Sequence, residues 1–264
     1  MLKKNKLGMS ALISHPEQKS IEEQIRIFAA AGFDSFFLSS GVTEEFERIP
    51  AWAHLARTCG IEPEAVHSPT RGVDRVWQEG ADSAPYALAT RRVIDLCGEG
   101  GVQRLVLHVG TSPAIQPCER GIAFWRELEH YARSRGVRLC YENSNVPRLF
   151  AAVVEGADPW HGVCHDVGHQ HCYTPDAAYE QICADRILYT HLHDNLGDGR
   201  DMHLLPGDGG VDFAAYFAAL ARAGYAGTLN LELSCYHAPA YREMSFADFA
   251  LAARERLAQL LMRA

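Results

Sequence analysis

The sequence has no C-x-x-C motif, and its eight cysteines are scattered, several inside apolar runs such as Leu139-Cys140-Tyr141. That spacing excludes a disulfide framework and paired-thiolate zinc sites, and it fits a reduced, cytoplasmic setting with cysteine as core filler. No apolar run approaches the roughly 18 residues of a membrane-spanning helix, so no membrane partner is expected. The basic start Lys3-Lys4-Asn5-Lys6 leads into an apolar stretch that ends at once in His15-Pro16 without a small-residue cleavage site. A signal peptide is therefore not expected. Positive charge is in deficit: 25 Lys+Arg face 33 Asp+Glu, for a net charge of −8. Such a surface does not draw a polyanion by bulk charge, so nucleic acid is not the expected partner. There is no low-complexity linker, and 47% hydrophobic with 22% charged residues excludes disorder, collagen-like repeats and coiled coil.

What is present is alternation. Short β-like runs recur at Leu7–Ile13, Ser35–Ser39, Glu64–His67, Arg104–Val109, Val137–Glu142, Gly162–Asp166, Ile187–His191 and Thr228–Leu233. Segments of helical period lie between them, such as Ile21–Ala31, Ala84–Cys97, Gly121–Arg133 and Phe213–Ala223. Gly32, Gly60, Gly136 and Gly224 fall where helix C-caps belong. Eight βα units in 264 residues predict an α/β fold, a single-domain (β/α)8 TIM barrel over residues 1–264 with a parallel eight-stranded core. No glycine-rich phosphate loop follows the first strand, which disfavours an open dinucleotide-binding sheet.

Strand parity then finds a site. Leu229, Leu231 and Leu233 form one apolar phase, so Asn230 and Glu232 point into the barrel. The same reasoning turns Glu142, Asp166 and His191 inward, and His67 and His108 with them. His165 falls on the opposite phase from Asp166, and His193 lies past the strand end, so neither is expected to be a primary ligand. Ten of the 13 histidines (15, 67, 108, 165, 169, 171, 191, 193, 203 and 237) lie at or just after C-terminal strand ends, the face where barrel active sites sit. His54 and His130, on helices, are expected at the surface. Inward carboxylates repel one another at low dielectric unless a cation compensates them. A divalent metal with mixed carboxylate and imidazole ligands is the natural compensator. Asp166-Val167-Gly168-His169 and Asp201-Met202-His203 add ligand types on loops over the mouth, before the glycine-rich Pro206-Gly207-Asp208-Gly209-Gly210.

With these segments in place the chain resembles the xylose-isomerase-like barrel superfamily, which holds sugar-phosphate isomerases, epimerases, inosose dehydratases and endonuclease IV. The carrying motifs are Leu-Val-Leu-His at His108, Tyr-Glu-Asn at Glu142, Cys-His-Asp-Val-Gly-His at Asp166 and His169, Thr-His-Leu-His-Asp-Asn at His191, Asp-Met-His-Leu-Leu-Pro-Gly-Asp-Gly at Asp201 and His203, and Leu-Glu-Leu at Glu232. The resemblance spans the chain. It implies one divalent ion (Mn²⁺, Mg²⁺, Co²⁺ or Zn²⁺) on Glu142, Asp166, His191 and Glu232, with His169 near substrate. Endonuclease IV uses those four and five more, which match His67, His108, His169, Asp201 and His203, so more than one ion is allowed. The Asn-Asp-Ser-Lys segment expected of that enzyme reads His193-Asp194-Asn195-Leu196 here, and its long basic loops are missing.

Three classes of function follow. In an isomerase or epimerase of a sugar or sugar phosphate, or a related dehydratase, the metal stabilises an enediolate while Glu142 and Glu232 exchange the proton from two sides, with His169 as a further catalytic residue. In an endonuclease IV-like hydrolase, several zinc ions cut a phosphodiester, with abasic DNA as partner. A metal-binding barrel without catalysis is the third, and two inward glutamates argue against it. The expected partner is a small carbohydrate; which sugar and which oligomeric state the sequence leaves open.

Overall fold

In the computed structural model, the described residues are 2–11, 14–39, 46–177, 179 and 183–263. Eight parallel strands close on themselves in sequence order. They are β1 (Leu7–Ser10), β2 (Ser35–Leu38), β3 (Glu62–His67), β4 (Arg104–His108), β5 (Arg138–Glu142), β6 (Gly162–Asp166), β7 (Ile187–Leu192) and β8 (Leu229–Leu231). Closure is β1 against β8, with Leu7 opposite Leu229 and Met9 opposite Leu231. Around the barrel run α1 (Ile21–Ala31), α2 (Ile49–Thr58), α3 (Ala84–Gly100), α4 (Glu119–Ser134), α5 (Pro147–Glu155), α6 (Val167–Tyr173), α7 (Phe213–Arg222), the short α8 (Pro239–Arg242) and α9 (Phe246–Arg263).

Local chemistry sets the element ends. Ser20 and Glu23 form a reciprocal capping box at the start of α1, which ends on Gly32 in the left-handed conformation. Gly60, Gly136 and Gly224 take the same conformation, as their positions before strands predict. The expected extension of β1 to Ile13 lies outside the described residues. β3 begins two residues earlier than the sequence suggests, at Glu62, because a register shift opposite Phe36 and Phe37 lets Pro63 sit in the strand.

Two cores result. The larger lies between sheet and helices and includes Phe28, Trp52, Trp125, Phe246 and Leu257. The smaller fills the barrel and takes one residue from each of six strands: Phe37, Ala65, Val106, Cys140, Cys164 and Tyr189. With a two-residue period, the next inward layer toward the C-terminal end is His67, His108, Glu142, Asp166 and His191. The apolar layer is thus the floor of a polar mouth, and Phe37 stacks flat beneath His191 with ring centroids 4.8 Å apart. All eight cysteines are free thiols. Among the described residues no helix is long and apolar enough to cross a membrane.

Candidate metal centre

Glu142, Asp166, His191 and Glu232 each offer one ligand atom within 4.8 Å of the other three. His191 is the hub: its Nδ1 lies 2.5 Å from Glu142 Oε1, 3.1 Å from Glu232 Oε2 and 3.8 Å from Asp166 Oδ2. The first three of these residues are fully buried and Glu232 is 8% exposed. Burial pushes the Glu142 carboxyl up, but the His191 and His108 imidazoles more than offset this and hold it well below the usual carboxylate range. Burial likewise raises Glu232, and His191 brings it below its ordinary value. For His191, burial opposes the charge, yet Cys164, Glu232 and Glu142 together lift its pKa well above normal. Three buried carboxylates whose counter-charges are imidazoles form a donor set that a divalent cation would neutralise better.

Glu142 and His191 also meet Cys164 at the same spacing, and two more clusters adjoin. His67 Nε2 and His108 Nε2 lie 2.9 Å and 2.8 Å from Glu142 Oε2, so Glu142 faces the first cluster with one oxygen and this pair with the other. The second cluster gathers His169, His193, Asp201 and His203. Asp201 Oδ2 is 3.0 Å from both His169 Nε2 and His203 Nε2. His193 Nδ1 and Asp201 Oδ1 are buried, have no hydrogen-bond partner among the described residues, and face each other at 3.8 Å. That gap is too long for a hydrogen bond, and ligand atoms about 2 Å from a zinc ion stand at comparable spacing. Burial opposes charge on His169 and His203, but Asp166 beside the one and Asp201 beside the other raise them, His203 to about 9. Asp201 is pushed up by burial and then held far below its normal range by His203 and His169.

The supporting shell explains why these side chains converge. Asp166 ends β6 and caps α6, accepting the His169 backbone N–H at 2.6 Å, which sets His169 over the mouth. The His169 and His203 rings donate Nδ1–H to the carbonyls of Asn143 (3.0 Å) and Glu232 (2.9 Å), leaving each Nε2 toward Asp201. Asp194 ties down the glycine-rich loop by accepting from Gly207 N (2.8 Å) and Val211 N (3.0 Å). A side chain at Gly168 would put a Cβ 2.1 Å from the His193 ring, so glycine is needed there.

Each candidate ligand (His67, His108, Glu142, Asp166, His169, His191, Asp201, His203 and Glu232) falls in at least one cluster. His193, not expected as a primary ligand, does stay out of the four-residue cluster, and it is fully buried within the loop cluster, 3.0 Å from Asp166 Oδ1. The chain stays extended one step past β7, because Asp194 bridges antiparallel to Leu204, and His193 thereby keeps the inward phase of Tyr189 and His191. His165 points to the helix side, bonds Gln170 at 2.6 Å and packs on Tyr216. His15 packs on Phe246, and His54, His130 and His237 are exposed. Asn143, Asp194 and Asn195, which strand parity does not point to, are buried supports whose partners are backbone groups of other strands and loops. A cavity of about 320 Å³ opens above the clusters, lined also by Thr70, Thr111, Ser144, Asn145 and Tyr173, and no Lys or Arg lines it among the described residues.

The description "Xylose isomerase-like TIM barrel" belongs to a family model that matches residues 25–258. The y4fM protein of Sinorhizobium fredii is 28% identical over 234 residues, covering 75% of this chain and 73% of that protein. A solved D-tagatose 3-epimerase-like protein has a TM-score of 0.78 at 20% identity, covering 98% of this chain and 97% of its own. The IOLI protein, solved with a binding zinc atom, has a TM-score of 0.80 at 16% identity, covering 98% of both chains. The chain spans 43% of a longer xylose isomerase-like TIM barrel/4-hydroxyphenylpyruvate dioxygenase fusion protein, with 22% identity and a TM-score of 0.79. At these identities the structural likenesses speak to the fold.

Proposed function

Because the chain belongs to the xylose isomerase-like TIM barrel family, matched over residues 25–258, we propose that it is a divalent-metal-dependent isomerase or epimerase of a small carbohydrate. The observation that carries this reading is the meeting of Glu142, Asp166, His191 and Glu232 within 4.8 Å beneath a polar cavity. These four would hold the ion, which when bound would polarise a carbonyl and its neighbouring hydroxyl. The residues' own part is proton transfer. Imidazole neighbours hold Glu142 and Glu232 toward the ionised form, so either can take the proton next to the carbonyl and give that same proton back to the adjacent carbon; delivery to the opposite face needs the other glutamate to pick up a proton from solvent first. His169, fixed by Asn143 and facing the cavity, orients a substrate hydroxyl. The epimerase-like and zinc-binding proteins of the same fold support the substrate class and the ion. A cavity that no Lys or Arg lines among the described residues favours an uncharged sugar over a phosphorylated one. The test is a panel of ketoses and aldoses in D₂O with Mn²⁺, Co²⁺, Mg²⁺ or Zn²⁺. Deuterium entering one carbon as a new sugar forms supports the reading, and the lack of both exchange and a new sugar with any ion refutes it.

A second reading, a multi-zinc phosphodiester hydrolase, draws on the other two clusters and on Glu142 shared between sites. The net charge of −8, and a cavity that no Lys or Arg lines among the described residues, weigh against DNA. Tight binding and nicking of an abasic-site duplex at physiological salt would reverse the ranking.

A further inference from the structure

The end of the barrel opposite the histidines holds a second cavity, of about 570 Å³. Lys4, Lys6, Glu62, Glu64, Arg104 and Thr228 supply polar groups to its walls. This face of such barrels ordinarily serves stability, and the Glu64–Arg104 ion pair at 3.2 Å fits that role. Two features exceed it. Glu64 is only 8% exposed, yet among the described residues its Oε2 has no hydrogen-bond partner, and Arg104 Nε is buried without one as well. A carboxylate oxygen buried in this way requires a donor, and a guanidinium N–H an acceptor. The charge of the lining is the second feature. Lys4 and Lys6 are exposed at the rim and have no carboxylate partner among the described residues, while Glu62 lies 3.8 Å from Arg57. A concave site where cations outnumber carboxylates stands out on a chain of net charge −8.

We propose that this pocket binds a small organic anion that also carries a hydroxyl group. The phosphate or carboxylate of the ligand meets Lys4 and Lys6, its hydroxyl hydrogen goes to Glu64 Oε2, and an oxygen accepts from Arg104 Nε. The site is independent of the metal centre, which lies across the apolar floor of Phe37, Ala65, Val106, Cys140, Cys164 and Tyr189. The test is calorimetric titration of the metal-stripped full chain with glycerol 3-phosphate, glycerate, sulfate and glycerol. Glycerol 3-phosphate or glycerate should bind at least tenfold more tightly than sulfate, which has no donor for Glu64, and glycerol should not bind. Which of the two anions is preferred distinguishes a phosphate ester from a carboxylate. Lys4→Glu with Lys6→Glu, at exposed positions that leave folding intact, should weaken binding at least tenfold. Glu64→Gln should erase the preference over sulfate. Absence of binding at millimolar anion, sulfate binding as tightly as the hydroxylated anions, or binding unchanged by the lysine substitutions would overturn the proposal.

Discussion

Zinc binding to the loop cluster should displace protons, and the structure sets how many and how strongly. With no metal, His203 has a pKa of about 9 and His169 is raised well above its normal value, each facing the Asp201 carboxylate. A metal takes only neutral imidazole, so both protons must leave when the cluster fills near pH 7. An imidazole with a pKa near 9 is neutral in roughly 1% of molecules at pH 7 and about a quarter at pH 8.5, and stripping its proton at pH 7 costs about 2.7 kcal/mol. His203 alone therefore makes zinc affinity rise roughly 25-fold between those pH values, and His169 adds to it in the same direction. The metal-free protein shows the opposite trend. A histidine raised in the folded state stabilises fully below its unfolded pKa, about 6.5, and that contribution is lost as pH rises through about 9. The assay is titration with chelator-buffered zinc at both pH values, in two buffers of different ionisation enthalpy. The difference in apparent enthalpy counts the released protons. Affinity independent of pH, or no buffer dependence of the enthalpy, would refute the assignment of protonated imidazoles facing Asp201.

Other consequences are as direct. Glu142→Gln and Glu232→Gln should each lower turnover on any substrate found by about 10²–10⁴ or more, since each removes a ligand and a proton carrier together; full activity in either variant would sink the acid/base roles. Gly168→Ala should push the His193 ring out of the loop cluster, given a Cβ at 2.1 Å from it, and weaken zinc there about 10–100-fold while the four-residue cluster keeps its ion. Equal zinc stoichiometry and affinity in the variant would show that His193 is no part of the site. Gly121→Ala places a Cβ 2.0 Å from the Trp77 ring, whose Nε1 donates to Val109 O. Such overpacking costs about 1–3 kcal/mol, a fall in Tm of roughly 3–10 °C for a chain of this size; an unchanged Tm would show that Trp77 moves freely.

Much of this layout is legible in the sequence, because a barrel strand reports its own orientation. Where apolar residues alternate cleanly, as in Leu105, Leu107 and Val109, the intervening His108 has one direction left, and it lies inward beside Glu142. The same logic places Glu142, Asp166, His191 and Glu232 in one layer. Parity says less past the last strand residue. His193 follows the last hydrophobic residue of β7, and only the bridge of Asp194 to Leu204, closed by a return loop, keeps it in phase. The supports Asn143, Asp194 and Asn195 are hidden for a related cause: they bond backbone groups, whose positions no side-chain pattern reveals. The pocket at the opposite end escapes as well, since Glu64 sits at the register shift of β3, where the two-residue period breaks, and its companions Lys4 and Arg104 come from distant segments.

Anomalous scattering at the zinc edge, from crystals grown with added zinc, tests the central claim most directly. The account predicts a peak bounded by Glu142, Asp166, His191 and Glu232, with a further peak among His169, His193, Asp201 and His203 that fades first as zinc is lowered, because loop ligands lose more conformational freedom on ordering. Crystals with no peak among the four strand-end ligands, and those side chains bonded only to one another, would contradict it.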